Sequence, residues 1–517
     1  MKLSSLLFTT IPPFFKDWRN QVWQLIFSLF LVVVVILPFI LNVQLYNDDW
    51  GRADGGAFRW ETDGRIVATF LYRVAHLGGS RTVYEHPLGS LICIPLMLLG
   101  GVLTALLFQR RSLIWIGVFS VFLFGQPYFL ENLSYSFDSP LMVLSVVMGL
   151  AAAWLCTSSL NGYGVIIAGS LLSLSLLIYQ PANNAFWIPI CMIVIYSFGN
   201  SGPNSRSYLG LNISIKQLLF RALAIEISSL MMYKFIFTPI FVLSDYAQHI
   251  QRLPASGEIF SVVLRNFILF CSHITSNSFE SSLGIMLIIY IIVSIIFISS
   301  QRLNLYGLIQ SILFLFVLAL SQGLVLTVVV SALSPRTYIG IGVFLASLAP
   351  MAWDTIHHFR CLSSITIWLR RIYLGILTAT LCGLISCSFA YGSAYRSQNE
   401  LNAFYRQTIA NEILASNLVI HQHITKMAIL GQSPLSPILS TTIKSYPYFS
   451  DLINSFGGDS RGIRLFKYYG LKLNRIAQSE LINDGFTETS SSLVLKRPNY
   501  TIYNFKDTVI VSFSKIP

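Results

Sequence analysis

The chain has 517 residues, of which 54% are hydrophobic and only 11% are charged. This fraction of charged residues is too low for the surface of a soluble globular protein. The composition therefore excludes a soluble enzyme and predicts a polytopic membrane protein. The formal net charge of +12 is explained by orientation signals and anionic lipid, because no basic run with interleaved aromatic residues indicates a nucleic-acid partner.

Apolar runs of about 20 residues predict about eleven transmembrane helices. They lie within a transmembrane domain, residues 22–391, that follows a cytosolic N-terminus of residues 1–21. No small-residue cleavage site follows the first run, so we expect an uncleaved first span. The fold class is an all-α polytopic bundle. The predicted helices are centred near residues 33, 99, 121, 149, 172, 192, 230, 291, 319, 345 and 381.

Basic residues predict which side each loop faces. The short loops on one side carry eleven Lys or Arg and the opposite loops carry eight, of which five lie in the single loop 46–88. The positive-inside rule therefore places the N-terminus in the cytosol and, for an odd number of spans, the C-terminal part outside. Eleven of the fourteen acidic residues before residue 392 fall on the outer side. We therefore expect the functional machinery to face outward.

The first outer loop, residues 46–88, begins with two carboxylates and an arginine beside the first span. The loop predicts two short helices joined at Asp63-Gly64, the second with the apolar pattern of a helix lying in the membrane interface. Residues four apart in this loop predict helical ion pairs. These pairs are Arg59 with Asp63, Glu61 with Arg65, and Asp48 with Arg52.

Asp48 and Asp49 have three interpretations. Asn47-Asp48 is typical of a helix N-cap, which satisfies free N–H groups in a first turn. A cap needs one such residue, however, and charge is costly at the hydrocarbon boundary, so a general base is the sharper hypothesis. Repulsion between adjacent carboxylates raises one pKa, while Arg52 counteracts that rise. A divalent cation bound by the two carboxylates is the third alternative, without further ligand spacing to support it.

The second outer loop, residues 131–139, lies in the segment "QPYFLENLSYSFDSP". Its aromatic residues suit a membrane-interface belt. They also suit sugar recognition, in which rings stack on a hexose while carboxylates and amides bond its hydroxyls. A later outer turn, "YQPANNAF", adds further candidates. The candidate sugar-binding residues are Glu131, Asn132, Tyr135, Asp138, Tyr179 and Gln180.

Two cations lie at the outer ends of later spans. Lys234 is eight residues after the intramembrane Glu226, which predicts a structural pair on one helix face. Alternatively, Lys234 and Arg336 neutralise an anionic lipid head group at the outer leaflet, for which the donor fork of arginine is well suited.

The C-terminal segment, residues 392–517, differs from the rest, with thirteen Lys or Arg and eight Asp or Glu. Its start has helical periodicity, with Leu401, Phe404, Tyr405, Ile409, Ile413 and Leu414 on one broad face. Its end alternates, which predicts strands with a turn at 497–499. We therefore predict a small α/β domain. His421 and His423 are two residues apart, which is wrong for one helix face, and no metal site is predicted.

These motifs resemble the serotype-converting O-antigen glucosyltransferases, the Gtr or GtrII-like family of bacterial and prophage enzymes, which belong to the GT-C class of polytopic glycosyltransferases. The resemblance covers the membrane part well and the tail weakly. The matching pieces, in chain order, are "YNDDWGR", "GR" at 64–65, "PYFLENLSYSFDS", "YQ" at 179–180, "SPR" at 334–336 and "YGSAYRSQN".

The resemblance implies a bacterial inner-membrane enzyme with a GT-C-like fold that works on the periplasmic side, with residues 392–517 as a periplasmic domain. The donor would be undecaprenyl phosphate-glucose, and the acceptor a polyprenyl-linked O-antigen repeat of lipopolysaccharide. Transfer would invert the anomeric carbon, with Asp48 or Asp49 as general base. The residues assigned to the donor phosphate are Arg52, Arg65, Lys234 and Arg336.

The resemblance also implies functional partners, namely a lipid-linked glucose flippase and a polyprenyl phosphate glucosyltransferase. No cofactor is predicted, because a lipid phosphate donor needs no nucleotide-binding glycines, and a divalent cation lacks support. Two rival classes are a transporter or flippase of lipid-linked sugars and an O-antigen polymerase or ligase. Glu226 and Lys234 would suit a transporter, but the sequence has no internal repeat and its ionisable groups cluster on one face.

Overall fold

The structure, a computed structural model, divides into two compact units, Met1–Phe389 and Ala390–Pro517. His421 and His423 lie outside the described residues. The structure describes residues 18–42, 45–158, 162–199, 214–240, 242–300, 305–330, 334–358, 363–416, 424–457, 460–487 and 491–513.

The first unit is a bundle of helices joined by short segments. A π-helical segment, Met232–Phe237, continues the helix Ile215–Met231. The helices are α1 (Trp18–Asn42), α2 (Asp49–Gly55), α3 (Ile66–Ala75), α4 (Leu88–Leu107), α5 (Ile114–Phe124), α6 (Phe129–Ser134), α7 (Ser139–Thr157), α8 (Gly162–Ile178), α9 (Asn184–Gly199), α10 (Ile215–Met231), α11 (Asp245–Ile250), α12 (Ile259–Phe279), α13 (Ser282–Ser299), α14 (Leu305–Ala319), α15 (Ile339–His358) and α16 (Ser363–Ala415).

The apolar helices confirm a multi-pass membrane protein. Among the described residues, seven helices are long and apolar enough to cross a membrane, and four shorter helices are also apolar. Each of the eleven predicted centres lies inside an observed helix. The α14 helix ends at Ala319, however, so its centre lies earlier than predicted, because a short 3-10 turn at Gly323–Thr327 follows it.

The segments between helices meet at two ends of the bundle. At one end, which we call the outer end, hydrogen bonds join Asp49 to Ser136 and the backbone of Ser244 to that of Thr62. At the other end, Arg110 donates to the Asp354 carboxylate over 2.6 Å. The outer end comprises residues 45–87, 125–138, 179–183, 242–258, 320–330 and 334–338.

The α12 helix has no counterpart among the predicted spans. Its polar side chains bond to outer-end segments: the Asn266 amide donates to the carbonyls of Leu326 (3.0 Å) and Val328 (2.8 Å). Further along, His273 Nδ1 lies 3.0 Å from the Tyr338 hydroxyl. Because both halves of α12 contact the same end of the bundle, we infer that α12 lies at the outer end without crossing. The α12 helix is one of the seven helices among the described residues that are long and apolar enough to cross, so the number of spans and the orientation of the termini both stay predictions.

The first outer loop contains two helices, α2 and α3. Two turns at glycine residues separate them. Gly56 (φ +64°) and Gly64 (φ +76°) adopt the left-handed conformation that glycine tolerates without strain. The helix predicted at α3 is confirmed. The predicted helix before Gly64 is wrong in position, because α2 ends at Gly55 and only a 3-10 turn, Glu61–Asp63, precedes Gly64.

The ion pairs predicted within this loop are also replaced by other contacts. Arg52 lies 3.8 Å from Asp138 in the second outer loop. The Glu61 carboxylate accepts from the Thr69 hydroxyl, and Asp63 accepts from Ser244 over 3.4 Å. Sequence spacing predicts pairs along a helix, but Glu61 and Asp63 lie in a 3-10 turn, and Arg52, although it lies in α2, pairs across the fold instead.

The second unit is a five-stranded mixed sheet with short helices, which confirms a small α/β domain. Strand order is β2-β1-β5-β4-β3, with β1 parallel to β2 and β5, and β4 antiparallel to β3 and β5. The elements are β1 (Lys426–Leu430), α17 (Pro437–Ser445), α18 (Phe449–Leu452), α19 (Ser460–Arg464), β2 (Asn474–Arg475), α20 (Gln478–Asn483), β3 (Ser492–Lys496), β4 (Thr501–Phe505) and β5 (Thr508–Ser512).

Local pattern explains this domain well. The predicted turn joins β3 to β4, where Arg497 N–H donates to the Tyr500 carbonyl over 2.9 Å. From the end of α16, Tyr405, Ile409 and Ile413 enter the domain core. Phe404 is 60% exposed, so the apolar face is narrower than predicted.

The position of α12 can be tested by cysteine labelling from one side of the membrane. In a variant lacking the seven native cysteines, we introduce Ser256→Cys and Glu280→Cys at the exposed ends flanking α12. Both positions should react with a membrane-impermeant maleimide from the same side. His357→Cys, exposed at the other end of the bundle, should react only from the opposite side. Labelling of positions 256 and 280 from opposite sides would show that α12 crosses.

Candidate active site

The adjacent carboxylates Asp48 and Asp49 have opposite environments. Asp48 is exposed, whereas Asp49 has no exposed surface. Asp48 occupies the N-cap position of α2 but makes no capping hydrogen bond with its side chain. The N-cap interpretation is therefore wrong, and the Asp48 side chain remains at the accessible surface of the outer end.

Asp49 connects the two outer loops. Its carboxylate accepts hydrogen bonds from the backbone N–H groups of Tyr46 (3.1 Å), Ser136 (2.7 Å) and Phe137 (3.4 Å). Burial raises the pKa of Asp49 well above its ordinary value, and the nearby Asp138 carboxylate adds to the rise. In this structure Asp49 has no exposed surface and acts as a clamp between the two outer loops. Its role as a general base stays a prediction.

Arg52 and Asp138 make a second link between the same loops. The Arg52 guanidinium lies 3.9 Å from the Trp60 ring centroid and donates to the Phe58 carbonyl over 2.8 Å. The Trp60 indole donates to the Asp138 carboxylate, which is 5% exposed. In this structure Arg52 and Asp138 hold the two loops together, and their roles in binding phosphate and sugar stay predictions.

The second outer loop holds Arg336 through three predicted sugar-binding residues. Glu131 accepts from the Arg336 backbone N–H over 2.8 Å. The Asn132 amide donates to the Arg336 carbonyl over 3.2 Å, and the Arg336 guanidinium donates to the Tyr135 hydroxyl over 2.7 Å. All three side chains of the loop are at most 5% exposed. In this structure Glu131, Asn132 and Tyr135 position Arg336, and their contacts with sugar stay predictions.

Arg65 occupies a comparable place on the other side of Tyr179. The Arg65 guanidinium lies 4.9 Å from the Tyr179 ring centroid, and the Tyr179 hydroxyl donates to the Arg336 carbonyl over 3.1 Å. Tyr179 is 1% exposed, so it separates the two arginines rather than presenting its ring to a ligand. Arg65 Nε has no hydrogen-bond partner among the described residues. Arg65 and Arg336 are both partly exposed.

Gln180 lies beside Gly64, where the chain has no room for a larger residue. The Gln180 amide donates to the Tyr233 hydroxyl over 2.9 Å and to the Gly64 carbonyl over 3.5 Å. A Cβ atom added at Gly64 would lie 2.8 Å from the Tyr233 hydroxyl oxygen. Gly64 therefore serves both the left-handed turn and the close approach of α10 to the first outer loop.

Asp63 is an acidic group of the site that the sequence prediction did not assign. It is partly exposed and lies close enough to Arg65 and Arg52 for charge interaction. Burial raises the pKa of the Asp63 carboxyl, and the two arginines oppose that rise. Its position directly before Gly64 was visible in the sequence, but an acidic residue before a glycine is typical of ordinary turns.

Lys234 and Glu226 do not form the predicted pair. The Glu226 carboxylate accepts from the Asn183 amide over 2.8 Å, whereas Lys234 is exposed on the π-helical segment. The π turn shifts residue directions along the helix, so eight-residue spacing does not place both side chains on one face. The contact with Gln180 comes from the neighbouring Tyr233 instead, a residue that the sequence analysis did not single out.

Five accessible polar side chains of the outer end form a mixed-charge set, which we call the accessible set. They can accept a proton, bind an anion and bond hydroxyl groups. Among the described residues, no group of three or more His, Cys, Asp or Glu side chains could hold a metal ion. The accessible set is Asp48, Asp63, Arg65, Gln180 and Arg336.

Fold and site together define a multi-pass membrane protein with a mixed-charge site at one end of its helical bundle. A family model described as Glucosyl transferase GtrII matches residues 37–348, which is more than half of the chain. The chain therefore belongs to the GtrII glucosyl transferase family. This confirms the resemblance seen in the sequence motifs.

Individual relatives are more distant. The chain is 27% identical over 181 residues to an uncharacterized 55.3 kDa protein in the gtrB 5′ region of Salmonella phage P22. That match covers 33% of this chain and 36% of the phage protein, so the chain spans about a third of that relative's length. Crystal structures of ArnT from Cupriavidus metallidurans, in the apo state and bound to undecaprenyl phosphate, share 11% identity, with TM-scores of 0.37 and 0.36. These alignments cover 92% of this chain and 97% or 96% of ArnT.

The different roles of Asp48 and Asp49 predict different effects of the same substitution. Asp49→Ala leaves three buried N–H groups without an acceptor, each costing about 1–3 kcal/mol. We expect a clearly lower melting temperature in detergent and lower accumulation in membranes. Asp48→Ala, at the exposed neighbouring position, is the matched control and should melt like the wild type. Equal melting temperatures for both variants would contradict the clamp.

Proposed function

We propose that the protein transfers a glucosyl group from a polyprenyl phosphate carrier to a sugar hydroxyl at the outer end of the bundle. Membership of the GtrII glucosyl transferase family supports the transferred sugar. The observation that carries the proposal is the arrangement of the accessible set. An exposed carboxylate, Asp48, lies close enough for charge interaction to Arg336, which Tyr179 connects to Arg65.

The chemistry of transfer requires a base and a place for the leaving phosphate. In the proposed step, the acceptor oxygen bonds to the anomeric carbon as the bond from that carbon to the phosphate oxygen breaks. Asp48 accepts the hydroxyl proton, and the departing polyprenyl phosphate keeps the bonding electrons. Attack opposite the leaving group inverts the anomeric carbon, and Asp48 later releases its proton to water.

Arg336 and Arg65 are suited to the phosphate. Arginine bonds phosphate oxygens through a planar fork of donors and stays charged. Glu131, Asn132 and Tyr135 fix the Arg336 backbone and side chain, so little ordering is required when the phosphate binds. Gln180 and Asp63 remain accessible for sugar hydroxyls, whereas Lys234 contributes at most through its charge at the rim.

The membrane explains where these groups lie. A polyprenyl chain is confined to the bilayer, so its phosphate stays at the membrane boundary, where the outer end begins. We propose the bacterial inner membrane with the outer end in the periplasm. The donor is then undecaprenyl phosphate-glucose, and the acceptor an O-antigen repeat, so that transfer changes serotype. A flippase and a polyprenyl phosphate glucosyltransferase would supply the donor, and the proposal requires no divalent cation.

The proposal is tested by the O-antigen of a host that supplies the lipid-linked donor. Expression of the chain should add a hexose to each repeat without changing the distribution of chain lengths, as measured by mass spectrometry and gel electrophoresis. A changed chain length without added hexose would favour a polymerase or ligase. Unchanged O-antigen despite normal accumulation of the protein would contradict glucosyl transfer to this acceptor.

Asp48→Asn should remove the base while keeping the size of the side chain. General-base catalysis contributes about 10²–10⁴-fold, so we expect transfer to fall by at least about 100-fold. Accumulation and melting temperature should stay those of the wild type, because Asp48 is exposed. Transfer is measured as labelled glucose passed from lipid-linked donor to acceptor in purified membranes.

The matched control is Asp54→Asn, an exposed carboxylate of the same loop. It should retain wild-type transfer, which separates loss of the base from loss of loop charge. Near-normal transfer by Asp48→Asn would reject Asp48 as the base and direct attention to Asp63.

A further inference from the structure

Glu226 is a buried carboxyl group that the proposed transfer step does not use. It lies on α10 and is 6% exposed. Its Oε1 atom accepts from Asn183 Nδ2 over 2.8 Å. An ionised carboxylate in this setting would be costly, because no cation pairs with it among the described residues.

Two acceptor atoms of this contact have no donor. Glu226 Oε2 and Asn183 Oδ1 are both buried and without a hydrogen-bond partner among the described residues. Amide and carboxyl groups each present two polar atoms side by side, so two such groups joined by one hydrogen bond can form a second one between the remaining atoms. A proton on Glu226 Oε2 would donate to Asn183 Oδ1 and satisfy both atoms at once.

We propose that Glu226 and Asn183 form a neutral acid–amide pair, closed by two hydrogen bonds, which positions the turn Gln180–Asn183 at the outer end. The pair holds one end of this turn, since Asn183 is its last residue. At the other end of the turn, Gln180 bonds Tyr233 and Gly64, and the preceding Tyr179 bonds the Arg336 carbonyl.

Geometry explains why one pair affects several site residues. Two hydrogen bonds join this turn to the same continuous helical segment. Asn183 bonds Glu226 on α10, and Gln180 bonds Tyr233 on the π-helical segment that follows it. Loss of the contact between Glu226 and Asn183 leaves the two buried polar atoms of the remaining partner unsatisfied and allows the turn to shift. Such a shift moves Gln180 and the Tyr179 side chain between Arg65 and Arg336. The expected effect on transfer rests on the proposed function, whereas the pairing itself does not.

The test compares Glu226→Gln with Glu226→Leu in the full-length protein. Glutamine keeps both hydrogen bonds, because its Oε1 accepts from Asn183 and its Nε2 donates to Asn183 Oδ1, without a titratable proton. We expect Glu226→Gln to match the wild-type melting temperature and to keep kcat/KM within about twofold. Glu226→Leu should melt at a lower temperature and lose about tenfold or more in kcat/KM, in line with the effect of small misplacements.

Two further variants complete the design. Asn183→Leu removes the other partner and should behave like Glu226→Leu in both measurements. Ser229→Ala is the matched control, because Ser229 is buried on the same helix but bonds the carbonyls of Gly169 and Ile225 instead of the turn. It should leave kcat/KM unchanged.

The outcomes separate the pair from the proposed function. If Glu226→Gln loses stability and transfer as Glu226→Leu does, an ionised carboxylate is needed and the neutral pair is rejected. If Glu226→Leu keeps wild-type transfer, the pair does not position the site. If the wild-type protein transfers no glucosyl group, the proposed function fails, while the melting temperatures still decide whether the pair exists.

Discussion

The buried carboxylate of Asp49 is the interaction on which the outer end depends. It accepts backbone N–H groups from its own loop and from the second outer loop. Buried N–H groups need an acceptor, so these bonds fix where the second loop can lie. The same loop carries Glu131 and Tyr135, which in turn hold Arg336. The position of an accessible guanidinium is thus determined by a carboxylate that never reaches the surface.

Burial divides the polar residues of the outer end into two groups with different roles, one structural and one available to a ligand. The buried ones, such as Asn132 and Asp138, have partners within the protein, because an unpaired polar group in a dry interior is costly. The accessible ones keep capacity for a ligand. Arg65 belongs to this second group, because its guanidinium lies over the Tyr179 ring and its side chain is partly exposed. Specific positioning and open chemistry are therefore supplied by different residues.

The sequence predicts the helical bundle and the C-terminal sheet because both depend on local pattern, namely apolar length and alternation. It predicts the acidic and basic residues of the outer end for the same reason. It does not predict which of these residues are buried against the protein and which stay accessible. The contacts of Glu131 and Asn132 with Arg336 depend on the tertiary fold. The spacing of Glu226 and Lys234 is misleading because Lys234 lies on the π-helical segment. The α12 helix escaped prediction because Asn266 and His273 interrupt its apolar run while bonding outer-end segments.

The adjacent aspartates illustrate how one motif serves two purposes. Successive residues at the start of a helix point about 100° apart, so two neighbours can face different environments. Here Asp49 points inward to the backbone of the second loop, and Asp48 is exposed near Arg336. The Asp49 carboxylate fixes the positions of the two loops relative to each other, and these positions determine where Asp48 lies. Asp48 and Asp49 are therefore not interchangeable, because neither residue has the surroundings that would let it replace the other.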